Sequence, residues 1–366
     1  MEQDRGRRGP QRIVNRNNKI YLELSDIIRE DALKFLPAKS LYRFQGVCRE
    51  WRRKIVSPFF THSQSNTFCD ISGFFLQSGS KPPSFISLDK NAYGVPDPSL
   101  SFLPEPVDIR ASSNGLVCCR GCRGDKRYYI CNPVTKRWKE LPKPNCDHGS
   151  DPAVVLIFEP SLLNFAAEYK LICAFPSVNF GEGYEFEMYT SHDGTWKYLD
   201  EIYFGSIKLL PMSGVYVNGS IYWKGTHGEL LLFDLTIERT RVLYCLCHTL
   251  GVMDEKLCST GIRYQALTVS EFSNAYTNTM LMNSGARTWE EKHHINLGPS
   301  FLPSGGRAGD INRAGNVLFA SGNWVLFKNG VQLCAYDMTT KEVKRLRDEV
   351  ELDIRIASYV NSLVEI

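Results

Sequence analysis

Three stretches of this chain repeat one short plan. Tyr128–Leu141, Leu231–Leu243 and Leu333–Leu346 each run an apolar strand into Asn or Asp, pass a nearby Thr, and leave in a second strand that ends on an aliphatic residue. An Asn or Asp side chain at such a corner closes the turn by accepting backbone N–H groups just beyond it. Weaker copies lie at Phe186–Trp196 and Thr279–Trp289, with a degenerate first copy at Phe85–Asp89. With turn residues at Asp89, Asn132, Asp193, Asp234, Ser284 and Asp337, the gaps are 43, 61, 41, 50 and 53 residues, about 50 on average. A repeat of that length suits a four-stranded propeller blade. Residues 67–366 have room for six.

A second element precedes some of these hairpins. Ser113–Cys118, Val217–Tyr222 and Ala314–Phe319 read as equivalent strands entered through a tight turn. Asn-Gly suits such a turn because both residues tolerate positive φ. The C-terminal Ala357–Val364 looks similar. It is expected to complete the first blade and close the ring, leaving no open sheet edge.

The front of the chain follows a different period. Leu24, Ile28, Ala32 and Phe35/Leu36 recur at helical spacing, with Ser25 or Asp26 able to cap the start. Pro37 breaks that helix and begins a second, which carries Leu41 and Phe44. Val47, Trp51 and Ile55 line a third, which Ser57-Pro58 stops. The expected organisation is a basic disordered tail over 1–19, three helices over 20–62 and a β domain over 67–366. The tail has six Lys and Arg against Glu2 and Asp4. It reads as solvated, or as a binder of acidic surfaces or a nuclear signal.

Net charge is only +3, so no nucleic-acid partner is expected. Nor is a membrane partner: the longest compact apolar run, Ala153–Phe158, is far short of the ~20 residues a spanning helix needs. No secretory leader is apparent, which points to a soluble protein of the cytoplasm or nucleus. Its 12 cysteines are then expected as reduced, mostly buried thiols.

A unit of about 40 residues rarely holds its own core, so this one either packs on the rest of the chain or offers apolar surface to a partner. Leu24-Ser25-Asp26-Ile27-Ile28, Leu36-Pro37-Ala38-Lys39-Ser40-Leu41, Arg43-Phe44, Val47-Cys48-Arg49-Glu50-Trp51-Arg52 and Ser57-Pro58-Phe59 together resemble the F-box in its plant form. The family's first block is usually Leu-Pro. Leu24-Ser25 departs from it and is expected to weaken adaptor affinity. The resemblance implies a three-helix module that docks on a Skp-type adaptor and through it on a cullin. Carried over by position, the docking residues are Leu24, Ser25, Ile28, Leu36, Pro37, Leu41, Val47, Cys48 and Trp51, some of them shared with the module's own core.

The β region carries a second resemblance. Asn114-Gly115-Leu116, Asn132-Pro133-Val134-Thr135 with Trp138 and Leu141-Pro142, Gly219 with Tyr222-Trp223, Phe233-Asp234 and Tyr359 with Ser362-Leu363 look like the F-box-associated domain of plant F-box proteins. This implies a propeller-like, kelch-like domain that holds a protein target for ubiquitylation. The fold class expected is therefore a small all-α F-box module followed by a large all-β domain, a six-bladed or irregular propeller. The function expected is that of a non-catalytic substrate receptor in a Skp–cullin–F-box ubiquitin ligase. Two alternatives stay open: an interaction protein that assembles no ligase, and a carbohydrate-binding or hydrolytic propeller with a helical cap.

Catalytic and metal patterns are weak. Cys119 and Cys122 form one C-x-x-C pair without a clear second, and Cys118, Cys131, Cys245 and Cys247 fit strand positions. Ser191–Trp196 is similar to the Asp-box turn of sialidase propellers but is one residue short and occurs once. His293-His294 lies among charges and reads as exposed. No catalytic residue, metal or cofactor is expected. Target recognition is expected from the loops Pro142–Pro152, Pro176–Tyr184 and Gly298–Arg313, with Phe180, Tyr184, Phe301 and Arg307 as anchors, since aromatics and Arg dominate interface hot spots.

Overall fold

The computed structural model describes residues 13–14, 20–21, 32–79, 81–161, 167–178, 182–245, 247–263, 266–272, 289–298, 317–351 and 353–366. Two short strands, β1 (Ile13–Val14) and β2 (Ile20–Tyr21), pair antiparallel within the basic front segment. Among the described residues a 3-10 turn (Leu33–Phe35) and three helices follow: α1 (Ala38–Phe44), α2 (Arg49–Ile55) and α3 (Pro58–Thr67). Among the described residues, the regular structure after α3 is all β.

The strands fall into six groups. Blade 1 is β5 (Val107–Ser113), β6 (Leu116–Gly121), β7 (Tyr128–Asn132) and β8 (Arg137–Glu140). Blade 2 is β9 (Ala153–Phe158), β10 (Tyr169–Pro176), β11 (Gly183–Thr190) and β12 (Thr195–Phe204). Blade 3 is β13 (Val215–Val217), β14 (Ser220–Lys224), β15 (Leu230–Asp234) and β16 (Arg239–Leu243). Blade 4 is β17 (Thr249–Met253), β18 (Lys256–Arg263), β19 (Ala266–Phe272) and β20 (Trp289–Asn296). Blade 5 is β21 (Val317–Ser321), β22 (Trp324–Asn329), β23 (Gln332–Asp337) and β24 (Glu342–Arg347). Blade 6 has three strands: the C-terminal β25 (Ile354–Val360), then β3 (Ile71–Ser78) and β4 (Ser84–Ser87).

The innermost strands β5, β9, β13, β17, β21 and β25 surround one channel, a cavity of about 1100 Å³ with lining residues from each of them. The ring is irregular. Blades 4 and 5 share one eight-stranded sheet because β17 and β21 pair in parallel, Gly251 opposite Ala320. A Cβ at Gly251 would stand 1.7 Å from the Ala320 carbonyl oxygen, so that approach needs a glycine. Apolar clusters fill the spaces between blades: one from blades 1 and 2 holds Leu116, Tyr128, Leu171 and Tyr189, and the next holds Ile172, Phe186, Ile221 and Trp223.

The hairpin plan is realised in physical detail. Oδ1 of Asn132, Asp234 and Asp337 accepts backbone N–H groups from Val134, Thr236 and Thr339 at 2.8–3.0 Å. Each turn is completed by a residue at positive φ, namely Lys136, Glu238 and Lys341. Asp89 makes the same bond to Asn91 at 2.8 Å. In blade 2 the corner is Thr190 rather than Asp193: Gly194 N–H reaches the Thr190 carbonyl, and Asp193 accepts from the Thr190 hydroxyl at 2.6 Å. Ser284 lies outside the described residues.

Asn114-Gly115 and Asn218-Gly219 occupy positive φ and enter second strands, as expected. The described part of Ala314–Phe319 differs: Val317 onward is the innermost strand β21, and Gly322 makes the turn into the second strand. The chain does close at its C-terminus, where β25 pairs antiparallel with β3 from Ile354↔Ser78 to Val360↔Ile71. The helical front also runs further than expected. Ser57 accepts an N–H from Phe60 at 3.3 Å and Pro58 sits at N1, so this pair starts α3 as well as ending α2.

Candidate functional site: a two-sided helical module and the propeller end opposite it

The helical module packs one side against the propeller and shows the other to solvent. Leu33, Ala38, Leu41, Ile55 and Phe60 are buried in one cluster with Phe75, Val117, Cys131, Tyr359 and Leu363 of the β domain. Trp51, half-buried, meets Phe44 edge-to-face at 5.4 Å and covers this cluster. Cys48 caps α2, its Sγ accepting the Trp51 N–H at 3.4 Å. On the outer side Phe35 (59%), Val47 (63%), Val56 (55%) and Phe59 (71%) are exposed. Arg49, Arg52 and Arg53 stand exposed on α2.

These positions sort the expected docking residues. Val47 and Cys48 are exposed and Trp51 is partly so. Pro37 and Leu41 are buried and Leu36 packs on the same cluster. Leu41, at 0% exposure, faces inward, so it supports the module from behind. The β domain supplies apolar surface on that side, which the spacing of Leu41 and Phe44 alone does not reveal. Leu24, Ser25 and Ile28 lie outside the described residues.

The module sits at one end of the ring. It touches Asn361–Leu363, which follow β25. The Asn114-Gly115 turn lies at this end too, a Gly115 Cβ falling 2.7 Å from Ser362 Cβ. Because strands alternate in direction, the loops β8–β9, β10–β11 and β12–β13 emerge at the opposite end. Two of the expected target loops, Pro142–Pro152 and Pro176–Tyr184, are among them. Val178, Tyr244 and Val331 in connections of this end, and Phe204 at the end of β12, are large exposed apolar residues. Sequence reasoning did not single them out, because exposure depends on which loops share a face.

The expected anchors fare differently. Tyr184 is half-buried against the blade 2–3 core, and its hydroxyl accepts the Leu209 N–H at 3.0 Å, so it braces a loop rather than standing free. Phe180, Phe301 and Arg307 lie outside the described residues, as does Gly298–Arg313 from residue 299 onward.

The loop 142–152 is held by a buried chain that sequence reading missed. His148 Nδ1 lies 2.9 Å from the Tyr128 hydroxyl and Nε2 lies 2.8 Å from Glu187 Oε2. Glu187 also accepts N–H groups from Asn145 at 2.9 Å and Cys146 at 3.3 Å. Trp196 Nε1 donates to the Pro142 carbonyl at 2.8 Å, and His148 stacks on Phe175 at 4.5 Å. An acid–histidine–tyrosine chain is catalytic-looking. Here His148 and Glu187 are almost wholly buried, so no substrate reaches them. The chain is a clamp on the loop.

Burial holds the His148 imidazole below its ordinary value of 6.5, against the opposing pull of Glu187. Burial raises the Glu187 carboxyl, but the His148 hydrogen bond and two backbone donors outweigh it and leave it below 4.5. Both folded-state values lie under the unfolded ones, so the unfolded chain binds more protons. The stability from His148 is full above about pH 6.5 and is lost as pH falls below it; that from Glu187 is lost below about 4.5. Melting temperature is therefore expected to fall between pH 7 and pH 5, and less steeply in His148→Gln, as followed by tryptophan fluorescence.

At the channel mouth, Arg110 and Arg355 alternate with Asp108 and Asp151. Arg110 pairs with Asp151 and, at 3.1 Å, with Asp108; Arg355 pairs with the same two at 3.2 and 3.1 Å. Two positive and two negative groups cancel and join blades 1, 2 and 6. The cysteines divide between faces: Cys118 lies in the blade 1–2 cluster and Cys119 and Cys131 in the cluster below the helices. Burial pushes the thiols of Cys118 and Cys119 well up, and that of Cys247 to about 11. Among the described residues no three His, Cys, Asp or Glu side chains gather as metal ligands. His293 and His294 are exposed on β20. No helix among the described residues is long and apolar enough to cross a membrane.

Comparison with known proteins matches residues 96–282, just over half of the chain, to the F-box associated beta propeller domain. Residues 22–63 match the F-box domain. A small helical module ahead of a large propeller defines the class, and the chain belongs to the F-box proteins that carry an F-box-associated β-propeller. F-box protein At5g07610 of Arabidopsis thaliana is 29% identical over 313 residues, covering 76% of this chain and 72% of that protein. F-box protein At5g49610 of the same plant is 41% identical over 108 residues, 30% of each chain. A solved structure of PorZ, a surface component of the type-IX secretion system of Porphyromonas gingivalis, overlaps 68% of this chain and 29% of its own. Its identity is 12% and its TM-score 0.36.

Proposed function

We propose that this protein is the target-holding subunit of a Skp–cullin–F-box ubiquitin ligase. The observation that carries this reading is the two-sided helical module. One side is buried in the propeller, while Phe35, Val47, Val56 and Phe59 are exposed, as are Cys48 and part of Trp51. An apolar surface of this kind on a module matching the F-box favours an adaptor partner. Val47, Cys48 and Trp51 contact the Skp-type adaptor in this reading. In the same reading the first-block residues Leu24, Ser25 and Ile28 also contact the adaptor, which links the chain to a cullin.

The contribution to ubiquitin transfer is geometric. The target is held at the end opposite the module, where Val178 and Tyr244 stand exposed. Holding it there raises the effective concentration of its lysines near a ubiquitin-charged enzyme. This role needs no covalent chemistry from the chain itself.

The test is capture of a recombinant plant Skp-type adaptor by the full chain. Wild type is expected to capture it, and Val47→Asp to bind at least tenfold more weakly, because an uncompensated carboxylate enters an apolar interface. Val47 is exposed in the free chain, so the substitution leaves folding intact. Failure of the wild type to capture adaptor, or equal capture by the variant, rejects the reading.

A further inference from the structure

Helix α1 begins without a capping side chain of its own. Its N-cap is Pro37, which has no side-chain oxygen to accept the first backbone N–H groups. Those groups are nonetheless satisfied. Ala38 N–H donates to the Asn361 carbonyl at 2.9 Å and Lys39 N–H to Asn361 Oδ1 at 2.8 Å, across more than 320 residues of chain. Asn361 is fully buried and uses every polar group it has: its own N–H reaches Ser72 Oγ at 2.9 Å and its Nδ2 reaches the Gly94 carbonyl at 2.8 Å.

A second tie lies beside the first. Gln64 of α3, also fully buried, donates Nε2–H to the Leu36 carbonyl at 3.1 Å and accepts the Leu363 N–H at 2.8 Å. On the outer flank, Lys39 Nζ donates to the Tyr93 carbonyl at 3.0 Å and Arg43 to the Asn91 carbonyl at 3.0 Å. The module is thus gripped between the loop after β4 and the last residues of the chain.

We infer that Asn361 is the N-terminal cap of α1, supplied from the far end of the chain, and that Asn361–Leu363 with Gln64 form the joint that fixes the module's orientation on the propeller. The residues just after β25, the strand that closes the ring, dock the helices, so the module is not an independently hinged unit. A buried polar group that loses its partner is costly, and here each tie leaves orphans on both sides if cut. Asn361 and Gln64 are positioning residues: they make no contact with a partner but set the angle at which one is presented. The inference holds whatever partner the module binds.

Hydrogen exchange on the full chain, read by mass spectrometry, tests it, with solution scattering as a second readout. In Asn361→Ala and in Gln64→Leu, amides of α1 and α3 are expected to exchange at least tenfold faster than in wild type. Those of β10 and β11 in blade 2 should be unchanged, and the scattering envelope should lengthen as the module swings free. Gln64→Leu removes both bonds but fills the site with a side chain of similar size and leaves the ring-closing strand intact, so it reads out the joint if Asn361→Ala fails to fold. Helices as protected in Gln64→Leu as in wild type would overturn the inference. So would equal acceleration in every blade, which would make these residues general ring supports rather than a joint.

Discussion

Ending the chain at Asp353 is expected to leave no soluble folded monomer. The lost segment contains β25, the innermost strand of blade 6, paired with β3 from Ile354↔Ser78 to Val360↔Ile71. It buries Ile356, Tyr359, Val360, Leu363 and Val364. At ~1.5–3 kcal/mol for each large apolar side chain, that burial is worth on the order of 10 kcal/mol, comparable to the whole stability of an ordinary domain. The cut also bares the edge of β3, an open template for pairing with other chains, and removes the cap of α1. Size-exclusion chromatography after expression reads the outcome. A chain ended at Val364 is the control: it loses Ile366 and Glu365, whose pairing with Arg137 at 3.6 Å is largely exposed and worth little. A well-folded, monomeric 1–353 fragment would refute ring closure as the source of stability.

How much of this was legible in the sequence depended on whether the cause was local. The corners at Asn132, Asp234 and Asp337 were readable because an Asn or Asp side chain closing onto residues two and three positions ahead is a short-range event. The Asn-Gly turns were readable for the same reason. In blade 2 the marker was displaced to Thr190, whose hydroxyl does related work with Asp193, so the strongest turn residue was not the corner. The place of Val317–Phe319 in its blade is not legible, because an apolar run looks the same in an innermost strand and in its neighbour. The His148–Glu187 clamp was invisible because 39 residues separate its partners and only blade packing unites them. The same holds for the docking residues. Helical spacing placed Leu41 on a face, but which faces meet the propeller is decided by contacts with Tyr359 and Leu363 more than 300 residues away.

Two corners that look alike in sequence should then respond very differently to the same change. Asp234→Ala removes a half-exposed turn acceptor; the Thr236 and Ile237 N–H groups it serves can turn to water. The expected cost is about 1 kcal/mol, the scale of one net hydrogen bond. Asn132 is wholly buried and does more than close its turn. Its Oδ1 accepts both Val134 N–H at 3.0 Å and the Tyr359 hydroxyl at 2.9 Å. Its Nδ2 donates to the carbonyls of Ser362 at 3.0 Å and Val364 at 2.9 Å. Asn132→Ala strands four buried partners at ~1–3 kcal/mol each and so is expected to cost upward of ~4 kcal/mol, a size reserved for broken buried networks. Three of those partners belong to the closing strand and its tail, so the loss should appear first as opening of blade 6 against blade 1. Urea unfolding of the two variants beside wild type measures the contrast. Equal losses would mean that Asn132 acts only as a turn residue and that the C-terminal segment is held by its apolar side chains alone.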